Sequence, residues 1–65
     1  MPVNKYEAFL KAAELGSLTR AAAELGVTQS AVSHMIGTLE EELGFSLLKR
    51  GRSGARPTAE GEQVL

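Results

Sequence analysis

The stretch from residue 17 to residue 44, SLTRAAAELGVTQSAVSHMIGTLEEELG, decides the fold because it contains two helix starts and two helix stops. Gly26 and Gly44 each follow an apolar-periodic run, and glycine ends helices there because it adopts the left-handed conformation at no steric cost. Ser17 and Thr28 precede the two runs and are residue types preferred as N-caps. The stretch therefore predicts a short helix, a tight turn and a long helix, over residues 18–25, 26–28 and 29–43.

Another helix is predicted on the N-terminal side of this stretch. It begins at about Val3 or Asn4 and ends at Leu15, before a further glycine at position 16. Its apolar residues follow the three-and-four spacing of one buried stripe, and they are Tyr6, Phe9, Leu10 and Ala13. The inward face of the short helix is expected to consist of Leu18, Ala21, Ala22 and Leu25.

The pattern changes after Gly44. Residues 45–48 form a short apolar segment of uncertain type, and a basic stretch with two turn glycines follows over residues 49–56. Two short extended pieces around a glycine-containing loop predict a small hairpin. Thr58 is a further N-cap, for a helix from Ala59 to Leu65. The expected fold is mainly α: a three-helix winged helix-turn-helix with a two-stranded β wing over residues 1–58, and the start of a fourth helix over residues 59–65.

The long helix has two chemically distinct halves. At about 100° per residue, its apolar residues fall in one half of the wheel, and they are Ala31, Val32, Met35, Ile36, Leu39 and Leu43. The other half is polar and contains no acid between Gln29 and Leu39, so it carries no repulsion toward phosphate. A helix-turn-helix places its second helix in the major groove of DNA. We therefore expect base contacts from Gln29, Ser30, Ser33 and His34.

Each of these residue types can read a base edge. The Gln29 amide can donate to adenine and accept from it at the same time. Ser30 and Ser33 can donate to or accept from base edges or phosphate, and His34 can contact guanine or phosphate. A polar helix face is also typical of a merely solvated surface. The interpretation as a DNA-reading face therefore depends on its conjunction with the short helix, the tight turn and the basic hairpin.

Contacts with the DNA backbone are expected from residues around this face. Thr28 lies at a helix N-terminus, where free N–H groups and the helix dipole favour a phosphate. Arginines of the hairpin can follow the backbone or enter the minor groove, although a basic loop is also typical of a solubilising turn. The expected backbone and wing contacts are Ser17, Thr28, Thr38, Arg50, Arg52, Ser53 and Arg56.

The composition limits the function classes. The chain has 65 residues, one histidine, no cysteine and no aspartate, so a nucleophile–base–acid arrangement cannot be assembled and no enzyme, metal or cofactor is expected. No apolar run approaches the roughly 20 residues of a membrane span, and the N-terminus lacks a signal-peptide core. We therefore expect a soluble, cytoplasmic protein without a membrane partner. The net charge of −1 predicts weak DNA binding in isolation.

Three questions stay open at this point. Gly37, in the middle of the long helix, either permits close approach of DNA or has no function. The acidic triplet at residues 40–42 is expected to be solvent-facing helix surface and not a metal site. A protein-interaction module is the main alternative to DNA binding, and exposed aromatic or leucine side chains on the long helix would favour it.

From Tyr6 to Leu65 the chain resembles the N-terminal domain of bacterial LysR-type transcription regulators. The run S-x-x-x-AA-x-x-L-x-V-x-QSAVS-x-x-I-x-x-LE-x-x-LG over residues 17–44 carries the resemblance by its order and spacing, and Thr58-Ala59-Glu60-Gly61 extends it. Molybdate-responsive regulators share part of this pattern, but the spacing of QSAVS and LE-x-x-LG favours the LysR type. His34, Gly37 and Thr38 stand where that family often has basic residues.

The resemblance implies a sequence-specific reader of double-stranded promoter DNA at the bacterial nucleoid. It implies that the predicted base contacts face the major groove, that Arg50, Arg52 and Arg56 serve the wing, and that residues 59–65 begin a linker helix used for dimerisation. The intact regulator would be a homodimer on an inverted repeat. The family's co-inducer domain lies outside this chain, which on its own is expected to be a monomer or a weak dimer.

Overall fold

The computed structural model describes residues 4–51 and 54–65. The elements are three helices, a two-stranded antiparallel hairpin and a short fourth helix, so the predicted mainly α winged helix-turn-helix architecture is confirmed. Their bounds are α1 Lys5–Leu15, α2 Leu18–Leu25, α3 Gln29–Leu43, β1 Leu48–Gly51, β2 Gly54–Pro57 and α4 Ala59–Val64. No helix in this part of the chain is long and apolar enough to cross a membrane.

The helix bounds follow from local capping, as the sequence predicts at Ser17, Thr28 and Thr58. Asn4, Ser17, Thr28 and Thr58 are the four N-caps, and each side chain accepts a hydrogen bond from a backbone N–H in the first turn of its helix. The first three helices end at the predicted glycines, whose φ angles of 66°, 71° and 82° are left-handed. The first helix begins at Lys5, with Asn4 as its N-cap.

The core lies where α1 crosses α2 and α3. Its largest fully buried side chains are Phe9, Val32, Ile36 and Leu47. Five alanines complete the buried core, and they are Ala8, Ala12, Ala21, Ala22 and Ala55. Leu18 and Leu25 pack against this cluster as partly buried residues, in agreement with the predicted inward face of α2.

The predicted buried stripe of α1 is wrong at Tyr6. Tyr6 is 43% exposed, and its hydroxyl donates to the Val64 carbonyl oxygen at 2.8 Å. The buried face of α1 is instead centred on Phe9 with Ala8 and Ala12 beside it. Tyrosine at the rim of the core keeps its ring against apolar neighbours and its hydroxyl bonded, so the helix is rotated slightly from the position that apolarity alone predicts.

The hairpin is fastened to the end of α1. β1 pairs with β2 in a register that places Lys49 opposite Arg56 and Arg50 opposite Ala55. The Ala55 N–H donates to the Gly16 carbonyl oxygen at 3.0 Å. Gly54 has a φ of 110°, and a Cβ at this position would overlap the same carbonyl oxygen. Glycine is therefore required here both by the backbone angle and by the close approach.

The segment before the hairpin, whose type the sequence left uncertain, is held by side chains from both sides. Glu40 Oε2 accepts from the N–H of Leu47 at 2.6 Å and from that of Leu48 at 3.3 Å. Thr58 donates its N–H to the Leu47 carbonyl at 2.9 Å and its hydroxyl to the Ser46 carbonyl at 2.7 Å. Four backbone groups of this segment are thus satisfied without a third strand.

The prediction that the whole acidic triplet faces solvent is wrong for Glu40. Glu41 and Glu42 are exposed, and Glu42 forms an ion pair with Lys5 at 2.7 Å. Glu40 is half-buried and accepts two backbone N–H groups instead. An ionised carboxylate can accept several hydrogen bonds, and this explains an acid on the inner side of the helix end.

Two helical glycines provide a matched test of the packing of α4. At Gly61 a Cβ would overlap the Leu47 carbonyl oxygen, whereas at Gly37 no described atom outside the neighbouring backbone of its own helix lies within 4 Å of a Cβ. Gly61→Ala is expected to destabilise the fold by about 1–3 kcal/mol through overpacking. Gly37→Ala is expected to stabilise it by about 0.5–1 kcal/mol, because alanine restricts the unfolded chain and favours helix. Urea unfolding measures both, and the same sign for both would contradict the close packing of α4.

The role of Glu40 can be tested against its neighbour in the triplet. Glu40→Ala removes the acceptor of two N–H groups, one of which belongs to the fully buried Leu47. The expected loss is about 1–3 kcal/mol in the free energy of unfolding. Glu41→Ala, at an exposed position, is expected to change it by no more than about 0.5 kcal/mol. Equal effects of the two substitutions in urea denaturation would show that the hydrogen bonds of Glu40 contribute nothing.

Candidate nucleic-acid interface

The four predicted base-contacting residues lie together on the first two turns of α3. At about 100° per residue, Gln29, Ser33, Ser30 and His34 fall in that order within an arc of about 140°. Gln29, Ser30 and His34 are exposed and Ser33 is half-buried. All four line one shallow depression on the surface. The structure therefore brings these residues into a single polar face, here called the α3 face.

The N-terminus of α2 lies against one side of the α3 face. The Thr19 hydroxyl donates to Gln29 Oε1 at 3.1 Å, across ten residues of sequence. Sequence reasoning did not single out Thr19, because a threonine in the first turn of a helix has no distinctive periodicity. The tight turn itself joins the C-terminal end of α2 to the N-terminal end of α3, so a contact with the first turn of α2 could not be predicted from the turn alone.

The hairpin lies against another side of the α3 face. Arg50 Nη1 donates to the Ser33 hydroxyl oxygen at 2.9 Å, which joins a wing residue to a predicted base-contacting residue. A groove runs between the start of α2, α3 and the hairpin, and its lining is Ser17, Leu18, Thr19, Gln29, Ser33, Arg50, Gly51, Gly54 and Ala55. The helix face and the wing therefore form one continuous polar surface.

The hydroxyls predicted to contact phosphate differ in whether their O–H is still free to donate a hydrogen bond. Ser17 and Thr28 use their side-chain oxygens as N-caps, accepting from Arg20 N–H at 3.1 Å and Ala31 N–H at 3.0 Å. Each of these caps acts as an acceptor, so its O–H is left to donate to an anion. Thr38 instead donates its hydroxyl to the His34 carbonyl at 3.0 Å. A phosphate contact from Thr38 would require that bond to break.

The hairpin presents cations on both of its faces. Residues alternate between the faces of a strand, so Arg50 lies on the side that reaches α3, and Lys49 lies on the other side. Lys49 is directly opposite Arg56, and both residues are exposed. Like charges directly opposite one another are destabilising, and a nearby anion would relieve that repulsion. The predicted wing residues Arg52 and Ser53 lie outside the described residues.

In the part of the chain that the structure describes, the hairpin cations stand apart from the ion pairs of the helices. Over residues 4–51 and 54–65, the ion pairs join Lys5 to Glu42 and Lys11 to both Glu14 and Glu24. The hairpin cations Lys49, Arg50 and Arg56 take part in none of these pairs. The net charge of −1 therefore does not describe the hairpin, which remains available to an external anion.

Comparison with known proteins identifies the family. The sequence model described as "Bacterial regulatory helix-turn-helix protein, lysR family" matches residues 3–62. The HTH-type transcriptional regulator LrrA of Synechococcus elongatus is 48% identical over 65 residues, and the transcriptional activator AmpR of Pseudomonas aeruginosa is 51% identical over 65 residues. Each match covers 100% of this chain and 22% of the relative. The chain thus spans about a fifth of the length of these regulators.

Solved structures agree with this assignment. The crystal structure of a CbnR_DBD–DNA complex matches with a TM-score of 0.90 and 34% identity, over 94% of this chain and 70% of that chain. A BenM_DBD/catB site 1 DNA complex matches with a TM-score of 0.88 and 38% identity, over 98% of this chain and 69% of that chain. A further crystal structure describes CbnR as a LysR family transcriptional regulator. The chain therefore belongs to the lysR family of bacterial regulatory helix-turn-helix proteins.

Proposed function

We propose that this chain binds double-stranded DNA in a sequence-specific manner, as the reading head of a bacterial LysR-type transcription regulator. The observation that carries the proposal is the contact between Arg50 and Ser33, which joins a cationic hairpin to the acid-free α3 face. The DNA complexes of the similar CbnR and BenM domains support it. A helix about 10–12 Å in diameter fits a major groove about 12 Å wide.

In this proposal the α3 face supplies the base contacts. Gln29, Ser30 and His34 are exposed and can meet base edges without rearrangement of the backbone. Ser33 accepts from Arg50 and keeps its own O–H as a donor. Direct readout by these four residues would give the sequence preference, because hydrogen bonds to base edges in the major groove distinguish all four base pairs.

The surrounding residues supply the backbone contacts. Ser17 and Thr28 retain hydroxyl donors at helix N-termini, where the dipole also favours phosphate. Arg50 and Arg56, with the predicted Arg52 and Ser53, would follow the backbone or enter the minor groove. Thr38 would contact the backbone only after its bond to the His34 carbonyl breaks. We add Lys49 to the proposed backbone contacts because Lys49 lies directly opposite Arg56.

The proposal extends to the assembly of the intact regulator. Residues 1–58 would form the DNA-binding domain, and residues 59–65 would begin the linker helix of a homodimer that reads an inverted repeat. A structure of full-length CbnR complexed with its target DNA matches this chain over 94% of its residues and covers 21% of the CbnR chain. As a transcription regulator it would act in the cytoplasm, at the nucleoid.

The exposed apolar residues argue against the alternative of a protein-binding α3 face. The large apolar side chains found exposed among the described residues are Tyr6, Leu43, Phe45 and Leu65. Leu43 is the last residue of α3, and the other three lie on other elements or loops. A protein-binding face is enriched in aromatic residues at its centre, whereas the first turns of α3 present glutamine, serine and histidine.

The division between base and backbone contacts predicts two different mutant behaviours. A duplex is first selected from random sequences, and binding is then titrated at several salt concentrations. Gln29→Ala is expected to lose about 1–3 kcal/mol of discrimination at one base pair. Arg56→Ala is expected to weaken binding to all duplexes and to reduce the salt slope by about one unit, because one phosphate contact is lost.

Lys5→Ala is the control for net charge, since Lys5 is paired with Glu42 and does not lie on the hairpin. It is expected to leave the salt slope unchanged. If Gln29→Ala and Arg56→Ala both acted uniformly on every duplex, the proposed division of roles would be wrong. If no duplex bound saturably at low salt, DNA reading by this chain would be wrong.

A further inference from the structure

We propose that Thr19 is a positioning residue that holds the Gln29 amide and thereby sets the base preference at the pair that Gln29 reads. The inference rests on the proposed function and adds a specificity-determining residue from α2. The inference is based on the hydrogen bond from the Thr19 hydroxyl to Gln29 Oε1 at 3.1 Å. Both residues are exposed and line the same groove.

Thr19 and Gln29 both lie in the first turn of a helix whose N-terminus is capped. Thr19 lies in the first turn of α2, where Ser17 caps the helix by accepting from Arg20 N–H at 3.1 Å. Gln29 is the first residue of α3, and Thr28 caps that helix. The connection between the helices is closed by a bond from Val27 N–H to the Ala22 carbonyl at 3.0 Å. The caps and the turn therefore hold the backbone positions of the two residues relative to each other.

The chemistry of the pair explains why the hydroxyl matters. A glutamine side chain has three torsions, and its amide presents an acceptor oxygen on one side and a donor NH₂ on the other. A hydroxyl that donates to the oxygen fixes the orientation of the amide, because only the oxygen end can accept that bond. Threonine suits this role because its branched Cβ limits χ1 in a helix to two main rotamers.

The fixed amide has consequences for recognition. The oxygen keeps a second lone pair, and both N–H donors stay free, so the amide can still accept from and donate to an adenine edge. Without this restraint the amide can rotate, so its acceptor and its donors no longer keep one fixed position against the edge of the base. Preorganisation of a side chain before binding lowers the entropic cost of the complex. Loss of the hydroxyl is therefore expected to relax the choice of base.

The test compares Thr19→Val, which keeps the shape and removes the hydroxyl, with Thr19→Ser, which keeps the hydroxyl. Each is titrated against the selected duplex and against duplexes changed at the base pair that responds to Gln29→Ala. Thr19→Val is expected to reduce the preference at that pair by about two- to tenfold, the range of one hydrogen bond. Thr19→Ser is expected to retain it.

A double-mutant cycle separates positioning from direct contact with DNA. In the Gln29→Ala background, Thr19→Val is expected to have no further effect. A uniform loss of affinity that persists in that background would overturn the proposal, because Thr19 would then contact phosphate directly. If Gln29→Ala itself left every base preference unchanged, the proposed base contact of Gln29 would fail and the inference with it. If Gln29→Ala changed the base preference and Thr19→Val did not, the inference about Thr19 would fail while the proposed function would stand.

A measurement on the free chain gives a readout without DNA. The side-chain amide resonances and χ couplings of Gln29 are expected to show one dominant conformer in the unsubstituted chain and in Thr19→Ser. In Thr19→Val they are expected to show averaging. Identical spectra in all three proteins would overturn the proposal even if DNA binding changed.

Discussion

Leu47 is the point at which the helices, the hairpin and the last helix are joined. Its side chain is fully buried, its N–H donates to Glu40, and its carbonyl accepts from Thr58. The same carbonyl leaves no room for a Cβ at Gly61. A hairpin with four residues in each strand has little stability alone. The place of the wing beside α3 therefore depends on how this one residue is held, in addition to the bond between Ala55 and Gly16.

The small core explains why such hydrogen bonds matter. Five of the ten buried apolar residues described are alanines, so the elements approach closely but bury little surface each. A domain of about 60 residues buries only about 60% of its unfolded surface. Helix caps contribute about 1 kcal/mol each, a large share of a stability of about 5–15 kcal/mol. The cap residues Ser17 and Thr28 thus serve the fold as well as the proposed interface.

The sequence predicted what is encoded locally. Helix bounds follow from caps and stop glycines within a few residues, and the polar face of α3 follows from periodicity. Tyr6 was misplaced because a step of about 100° leaves the edge of an apolar stripe ambiguous. The type of residues 45–48 and the role of Glu40 depend on partners elsewhere in the fold. The contacts of Thr19 with Gln29 and of Arg50 with Ser33 also arise only when separate elements meet.

The cations of the hairpin have a consequence for how the chain meets a polyanion. With a net charge of −1, it experiences no long-range attraction as a whole, whereas a strongly cationic domain is drawn in from a distance. The hairpin cations Lys49, Arg50 and Arg56 take part in none of the described ion pairs, and a phosphate backbone senses their local field only within about one Debye length, roughly 10 Å at 0.1 M salt. Inside that distance the field exerts a torque that turns the hairpin inward. Electrostatics would thus affect the orientation in which the chain meets the polyanion more than the rate at which they meet.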